Sequence, residues 1–191
     1  MEAVLGRRSR PRLTEPAPDD AELLDLVGAA LTAPDHARLA PWRLVTLRGE
    51  DREALGARFA ASTGGDRAAR DRAAGKPLRA PLLVTVVFCP KDHAKVPEWE
   101  QLASAAAAVH TLLLLLHGNG WGAIWRTGHL TEDRAVRRLL GVEDGERLLG
   151  WLYVGTPAGT VPPRPNAAPG PRVRPFRHLR TEDAPTKETH A

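Results

Sequence analysis

From Glu98 to His117 the chain loses its polar face. Leu102, Ala103, the small run Ala105 to Ala108 and the bulky run Leu112 to Leu116 leave no wet side on a helix after its first turn. A helix that is apolar all round belongs at the centre of a fold or in a subunit interface. His110 interrupts it, and Ala105 to Leu116 falls short of the ~20 residues a bilayer span requires. Gly118 and Gly120 supply its stop. Met1 to Gly6 is too short for the apolar core of a signal peptide. A soluble, cytoplasmic protein with no membrane partner is therefore expected.

The segments around this helix read as both strands and helices. Leu82 to Phe88 is a continuous apolar and β-branched run, expected as a strand buried on both faces. Trp121 to Trp125, Leu148 to Val154 and the run Leu44, Val45, Leu47 after Pro41-Trp42 are three more strand candidates. Asp19 and Glu22 have capping-box spacing. Leu23, Leu26, Val27, Ala30 and Leu31 then recur at helical period, which predicts a buried helix to about Thr32. Asp51 to Ser62 and Arg67 to Gly75 read as further helices, and Thr131 as the cap of a short one closed by Gly141. This order predicts an α+β (mixed α/β) fold, a central mixed sheet flanked by helices. No Gly-x-Gly-x-x-Gly turn follows a strand, and Gly118-Asn119-Gly120 follows a helix, so a doubly wound sheet is not expected.

With 191 residues and 42% hydrophobic content, the chain has material for one ordinary core. The expected domain is 1–157. After Gly155, prolines at 157, 162, 163, 165, 169, 171 and 175 exclude helix and central strand. Residues 158–180 read as an extended arm lying on the domain or on a partner subunit, and 181–191 as a disordered tail. The formal net charge is +4, but Arg is interleaved with Asp and Glu nearly everywhere, so no nucleic-acid partner is expected. Cys89 is the only cysteine and reads as an inert thiol at a strand end. The seven histidines show no ligand spacing, so no metal is expected.

Three polar clusters interrupt this bland pattern: Arg7-Arg8-Ser9 with Arg10 and Arg12, the turn at Asp35-His36, and Trp125-Arg126-Thr127. The first and third pair guanidinium with hydroxyl, a donor set matched to phosphate oxygens. Two such clusters far apart in sequence suggest one anionic ligand held from two sides. Pro34 stops the preceding helix and fixes His36 on a turn, where it can donate to a ligand. Other readings stand beside these: a frayed basic terminus for Arg7 to Arg12, a helix C-cap for His36, a surface ion pair for Arg126, and a core position for Trp125.

Arg7-Arg8-Ser9, Ala33-Pro34-Asp35-His36 with Pro41-Trp42, Val96 to Gln101, Gly122 to Gly128 and Gly150 to Pro157 together resemble the nitroreductase family, in its small, minimal NAD(P)H nitroreductase branch. The resemblance covers residues 5 to 157. It implies a nitroreductase-like fold and an FMN-dependent oxidoreductase. It further implies a homodimer whose two flavins lie at the subunit interface. Its implied flavin-binding residues are Arg7, Arg8, Ser9, Thr32, His36, Trp125, Arg126 and Thr127. Nicotinamide contacts are implied for Leu115, Leu116, His117, Gly118, Asn119 and Gly120. The implied reaction is ping-pong: NADH or NADPH reduces FMN, which then reduces a small electron-poor acceptor such as a nitroaromatic or quinone, with no catalytic side chain required. Thr32 stands where some relatives place an arginine, and Arg10 and Pro11 differ from common family choices. A non-catalytic flavin sensor and a flavin enzyme of another reaction are the alternatives.

Overall fold

The computed structural model describes residues 2–162 and Arg172. The arm and tail expected beyond residue 162 thus lie, but for Arg172, outside the described residues. The elements below belong to one unit, Met1–Val161. In chain order they are α1 (Glu2–Gly6), β1 (Leu13–Thr14), α2 (Asp20–Ala30), β2 (Trp42–Leu47), α3 (Gly49–Ala61), α4 (Arg67–Ala74), β3 (Leu82–Phe88), α5 (Glu98–Gly118), β4 (Gly122–Arg126), α6 (Arg134–Leu139) and β5 (Arg147–Pro157).

β5 is the axis of the sheet. Leu152 pairs with Val84 of β3 on one edge and with Trp125 of β4 on the other, and Tyr153 likewise with Leu83 and Ile124. β2 pairs with β3 outside this trio, and β1 extends the far end of β5 through Leu13 and Pro157. All four strand pairs are antiparallel. Among the described residues the sheet is therefore antiparallel and not mixed as expected, and the parallel contact, an isolated bridge between Ser9 and Ala123, lies outside the named strands.

Side chains alternate across a strand, so each face of the sheet owns one core. Val84, Val86, Leu152 and Val154 pack with Leu112 and Leu116 of α5 and Leu23 and Leu26 of α2. Leu83, Trp151 and Tyr153 pack with Leu55 and Phe59 of α3 and Val136 of α6. Every residue of β3 is buried, as its composition predicts. By length and composition α5 has the makings of a membrane span. Here, however, it lays Val109, Leu112 and Leu116 on the sheet. Its opposite side stays open: Trp99 is 69% exposed, and Ala103 and His110 are exposed at helical spacing from it.

Two boundaries differ from expectation. α2 ends at Ala30 and leaves Leu31 exposed, because the N–H groups of Thr32 and Ala33 tighten onto Ala29 and Ala30 ahead of Pro34. Asp133, not Thr131, caps α6: its Oδ1 accepts from the N–H groups of Ala135 and Val136, both at 2.9 Å. A carboxylate offers two adjacent donors more than a hydroxyl can, and Thr131 instead closes a short 3₁₀ turn, His129–Thr131.

The α6–β5 turn is tied to β2 by Glu146. Arg43 donates to both its carboxylate oxygens, at 3.0 and 2.7 Å, and the Cys89 thiol donates to Oε1 at 3.0 Å. Hydrogen bonding from Arg43 pulls the Glu146 carboxyl down to about 2. Burial and the neighbouring carboxylate push the Cys89 thiol up to about 11, so it stays protonated at neutral pH, as an inert thiol should. Since the folded carboxyl titrates below its ordinary range, the unfolded chain takes up the proton first. The stabilisation is complete above the usual carboxyl pKa near 4.5 and is lost as pH falls towards 2. Urea unfolding is expected to show on the order of 3 kcal/mol of acid-dependent loss that Glu146→Gln lacks. Identical pH profiles for the two proteins would contradict this assignment.

Candidate functional site

The Ser9–Ala123 bridge decides where the first polar cluster goes. Arg10 N–H donates to the Ala123 carbonyl at 3.0 Å, so the N-terminal segment runs along the outer edge of β4. Arg7 to Arg10 is therefore built into the fold and is not a frayed terminus. Arg126 lies three residues on from Ala123, about 10 Å along the strand. Gly6 sits against the His117 ring, where a Cβ would stand 3.0 Å from Nε2. The N-terminal cluster, the end of α5 and β4 are thus neighbours.

Around β4 the guanidinium groups lack carboxylate partners. Among the described residues no salt bridge involves Arg7, Arg8 or Arg126. Nη1 of Arg8 donates to the Leu5 and Arg7 carbonyls, yet its Nε is buried and unpartnered. Arg126 lies over the Tyr153 ring, 5.5 Å from its centroid, and its Nε is likewise buried without a partner. Burial raises the Tyr153 phenol above its ordinary range, and the charge of Arg126 opposes that rise. The surface ion pair considered for Arg126 is not formed among the described residues. A cavity of about 370 Å³ opens beside it, and its lining includes Lys76, Arg79, Thr127 and Trp151.

The backbone of this strand end rests on a bulge in β5. Val86 pairs with Gly150 and Val87 with Leu148, so Leu149 is the extra residue. Its carbonyl accepts from Trp125 Nε1 at 2.9 Å, which commits the Trp125 indole to the fold. Thr127 is exposed at the strand's exit.

The end of α5 divides its residues. Leu116 is fully buried in the core and offers no side-chain surface. Leu115 packs against that core, while Gly118, Asn119 and Gly120 are exposed. Asn119 Nδ2 donates back to the Leu115 carbonyl at 2.8 Å.

His36 and Thr32 stand elsewhere. His36 Nδ1 meets Glu100 Oε2 at 2.8 Å, at the start of α5, and caps nothing. Trp121 Nε1 donates to Glu22 Oε1 at 2.7 Å, so α2 and α5 run in opposite directions. At 1.5 Å per residue, His117 and Glu100 are about 26 Å apart along α5. The Arg7 cluster and the His36 turn therefore sit by opposite ends of one helix. Thr32 spends its hydroxyl proton on the Ala29 carbonyl at 2.8 Å.

Lys76, Arg79 and Tyr153 escaped the sequence reading. Lys76 precedes and Arg79 ends a Pro-initiated 3₁₀ turn, Pro77–Arg79. Nothing local marks them as neighbours of Arg126.

The model of the family described as "Nitroreductase family" matches residues 4–156. The chain is 41% identical over 160 residues to "Putative NAD(P)H nitroreductase YdjA" of Escherichia coli (strain K12), covering 82% of this chain and 87% of that one. Its fold is similar to that of a nitroreductase-like family protein from Bacillus cereus, with TM-score 0.81 and 24% identity, covering 92% of this chain and 94% of the other. It is also similar to a mutant of NfnB, an FMN and NADPH-dependent nitroreductase from Sphigopyxis sp. strain HMH. That match has TM-score 0.70 and 19% identity, and covers 92% and 97% of the two chains. On the extent of the family match and the identity to its relatives, the chain belongs to the nitroreductase family of oxidoreductases.

Proposed function

We propose that the protein is an FMN-dependent oxidoreductase that carries electrons from NADH or NADPH to an electron-poor small molecule, a nitroaromatic or quinone. The observation that carries this reading is the meeting of Arg7–Ser9 with β4. Two segments remote in sequence share one strand edge, and each holds a guanidinium whose Nε is buried and unpartnered. An unsatisfied buried donor costs about 1–3 kcal/mol. A phosphate ester accepting from these groups offsets that cost, and the guanidinium fork matches its oxygens.

In this reading Arg7, Arg8, Ser9 and Arg126 hold the phosphate end of FMN, and the backbone of 125–127 with the Thr127 hydroxyl meets its ring. The exposed segment Gly118–Gly120 receives the nicotinamide cofactor. When bound, FMN supplies the two-electron relay that lets donor and acceptor react in turn, in a ping-pong cycle. The chain's own part is to bind, to orient and to surround the ring with positive charge from Lys76 and Arg79. Preorganised charge of this kind favours the anionic reduced state. The protein acts as a homodimer with a flavin at each end of the interface. Thr32 and His36 reach the flavin held by the other copy, because about 26 Å of α5 separates them from their own Arg7 cluster. The open side of α5, from Trp99 to His110, is the surface the second copy covers.

The test is the visible spectrum of the purified protein and the mass of any released cofactor. One FMN per chain is expected. Arg126→Ala is expected to weaken FMN binding about tenfold or more, the loss of a charge-assisted hydrogen bond, with circular dichroism unchanged. A colourless protein that takes up no added FMN would overturn the reading.

A further inference from the structure

We propose that His36 and Glu100 form a proton-delivering dyad that serves the flavin site of a second copy of this chain. The proposal rests on the flavoenzyme reading above and adds a function to residues given none in the chemistry. Glu100 Oε2 accepts from His36 Nδ1 at 2.8 Å, which fixes the ring's orientation and leaves Nε2 as its outward atom. The His36 side chain is 57% exposed, open to whatever covers this end of α5.

Both partners stand on rigid supports. The turn that carries His36 holds Ala37, Arg38 and Ala40 at φ 63°, 54° and 43°, three non-glycine residues in the left-handed region. Such backbone persists only where the surroundings enforce it, and it collects at functional sites. Here Asp35 Oδ2 enforces it by accepting from Ala40 N–H at 2.6 Å. On the other side, Gln101 locks the first turn of α5. It is 2% exposed, its Nε2 donates to the Lys91 and Val96 carbonyls, and its Oε1 accepts from Lys91 N–H.

The reaction needs such a donor. A nitro group that takes up one hydride and one proton loses an oxygen as water, with cleavage of one N–O bond, and becomes a nitroso group. A quinone takes up the same pair, breaks no σ bond and becomes a hydroquinone. Bound FMN would supply the hydride. The imidazolium of His36 supplies the proton from Nε2 to the acceptor oxygen, the N–H electron pair stays on the ring, and water reprotonates it after product leaves. Glu100 is a positioning residue and keeps its bond to Nδ1–H throughout.

Stopped-flow measurements separate the flavin's reduction by NADH from its reoxidation by a quinone. His36→Asn is expected to slow reoxidation at least tenfold more than reduction, Glu100→Gln to act in the same direction, and added imidazole to restore part of the loss in His36→Gly. Equal slowing of both steps, no slowing, or a loss explained wholly by lower flavin content would overturn the proposal. A second readout needs no flavin: in the flavin-free protein, ring nitrogen resonances are expected to show that whatever His36 is neutral is a single tautomer, protonated at Nδ1, and that Glu100→Gln releases this preference. A mixture of tautomers in the wild type overturns the dyad. Wild-type protein that binds no flavin overturns the function above, and the tautomer measurement then decides the dyad by itself.

Discussion

Gly150→Ala is expected to lower the melting temperature by about 10 °C and to abolish the flavin binding proposed for the protein. Gly150 has φ +109°, a conformation that side chains rarely adopt, and an added Cβ would stand 2.3 Å from the Arg126 carbonyl and 3.2 Å from Thr127 Cγ2. Both obstacles belong to the strand end that carries Arg126, and one of them is backbone that cannot rotate away. Backbone strain and overpacking together cost about 3–5 kcal/mol, which for a domain of this size corresponds to about 10 °C. Relief by movement of β4 would displace Arg126 and Thr127, so flavin content should fall even in the folded fraction. Thermal melts with flavin quantitation check this. A variant that melts like the wild type and keeps its flavin would show that the bulge does not set the strand end.

Ala106→Arg is expected to give a folded monomer with no retained FMN and no activity. Ala106 is half-buried and recurs at helical spacing with Ala103 and His110 on the side of α5 turned away from the sheet. A guanidinium there meets water in a monomer and an apolar partner in the proposed dimer, where an unpaired buried charge costs several kcal/mol. Because Arg7 and His36 of one chain lie by opposite ends of α5, separating the copies would halve every flavin site at once. Sedimentation, circular dichroism and flavin content read the three parts of this expectation. Ala57→Arg, on the exposed side of α3, should change none of them. A flavin-replete dimer from Ala106→Arg would place the interface elsewhere.

The sequence announced the elements through periodicity and caps. β3, α5 and the start of α2 could be read because a continuous β-branched run, apolar composition all round and an Asp-x-x-Glu spacing are local signals. The boundary at Ala30 and the cap of α6 turned on which donor reached which acceptor, a matter of a few tenths of an ångström that spacing does not encode. The two arginine clusters stood out by residue type, yet what joins them is the parallel bridge from Ser9 to Ala123, a contact with no local signature. Lys76 and Arg79 join Arg126 only through the packing of α3 and α4 beneath the sheet. The His36–Glu100 pair lay inside two motifs, Ala33 to His36 and Val96 to Gln101, that nothing short of the antiparallel packing of α2 and α5 connects.

That bridge also orders events during synthesis. Arg7 to Ser9 are translated well before β4, but their strand partner is Ala123, and β4 has no seat until β5, its own neighbour, has been made. The cofactor cradle is therefore assembled from the two ends of the domain and closes last. On the proposed function, flavin capture then acts as an inspection of the finished chain, and truncated or stalled products lacking β5 should emerge colourless whatever FMN surrounds them.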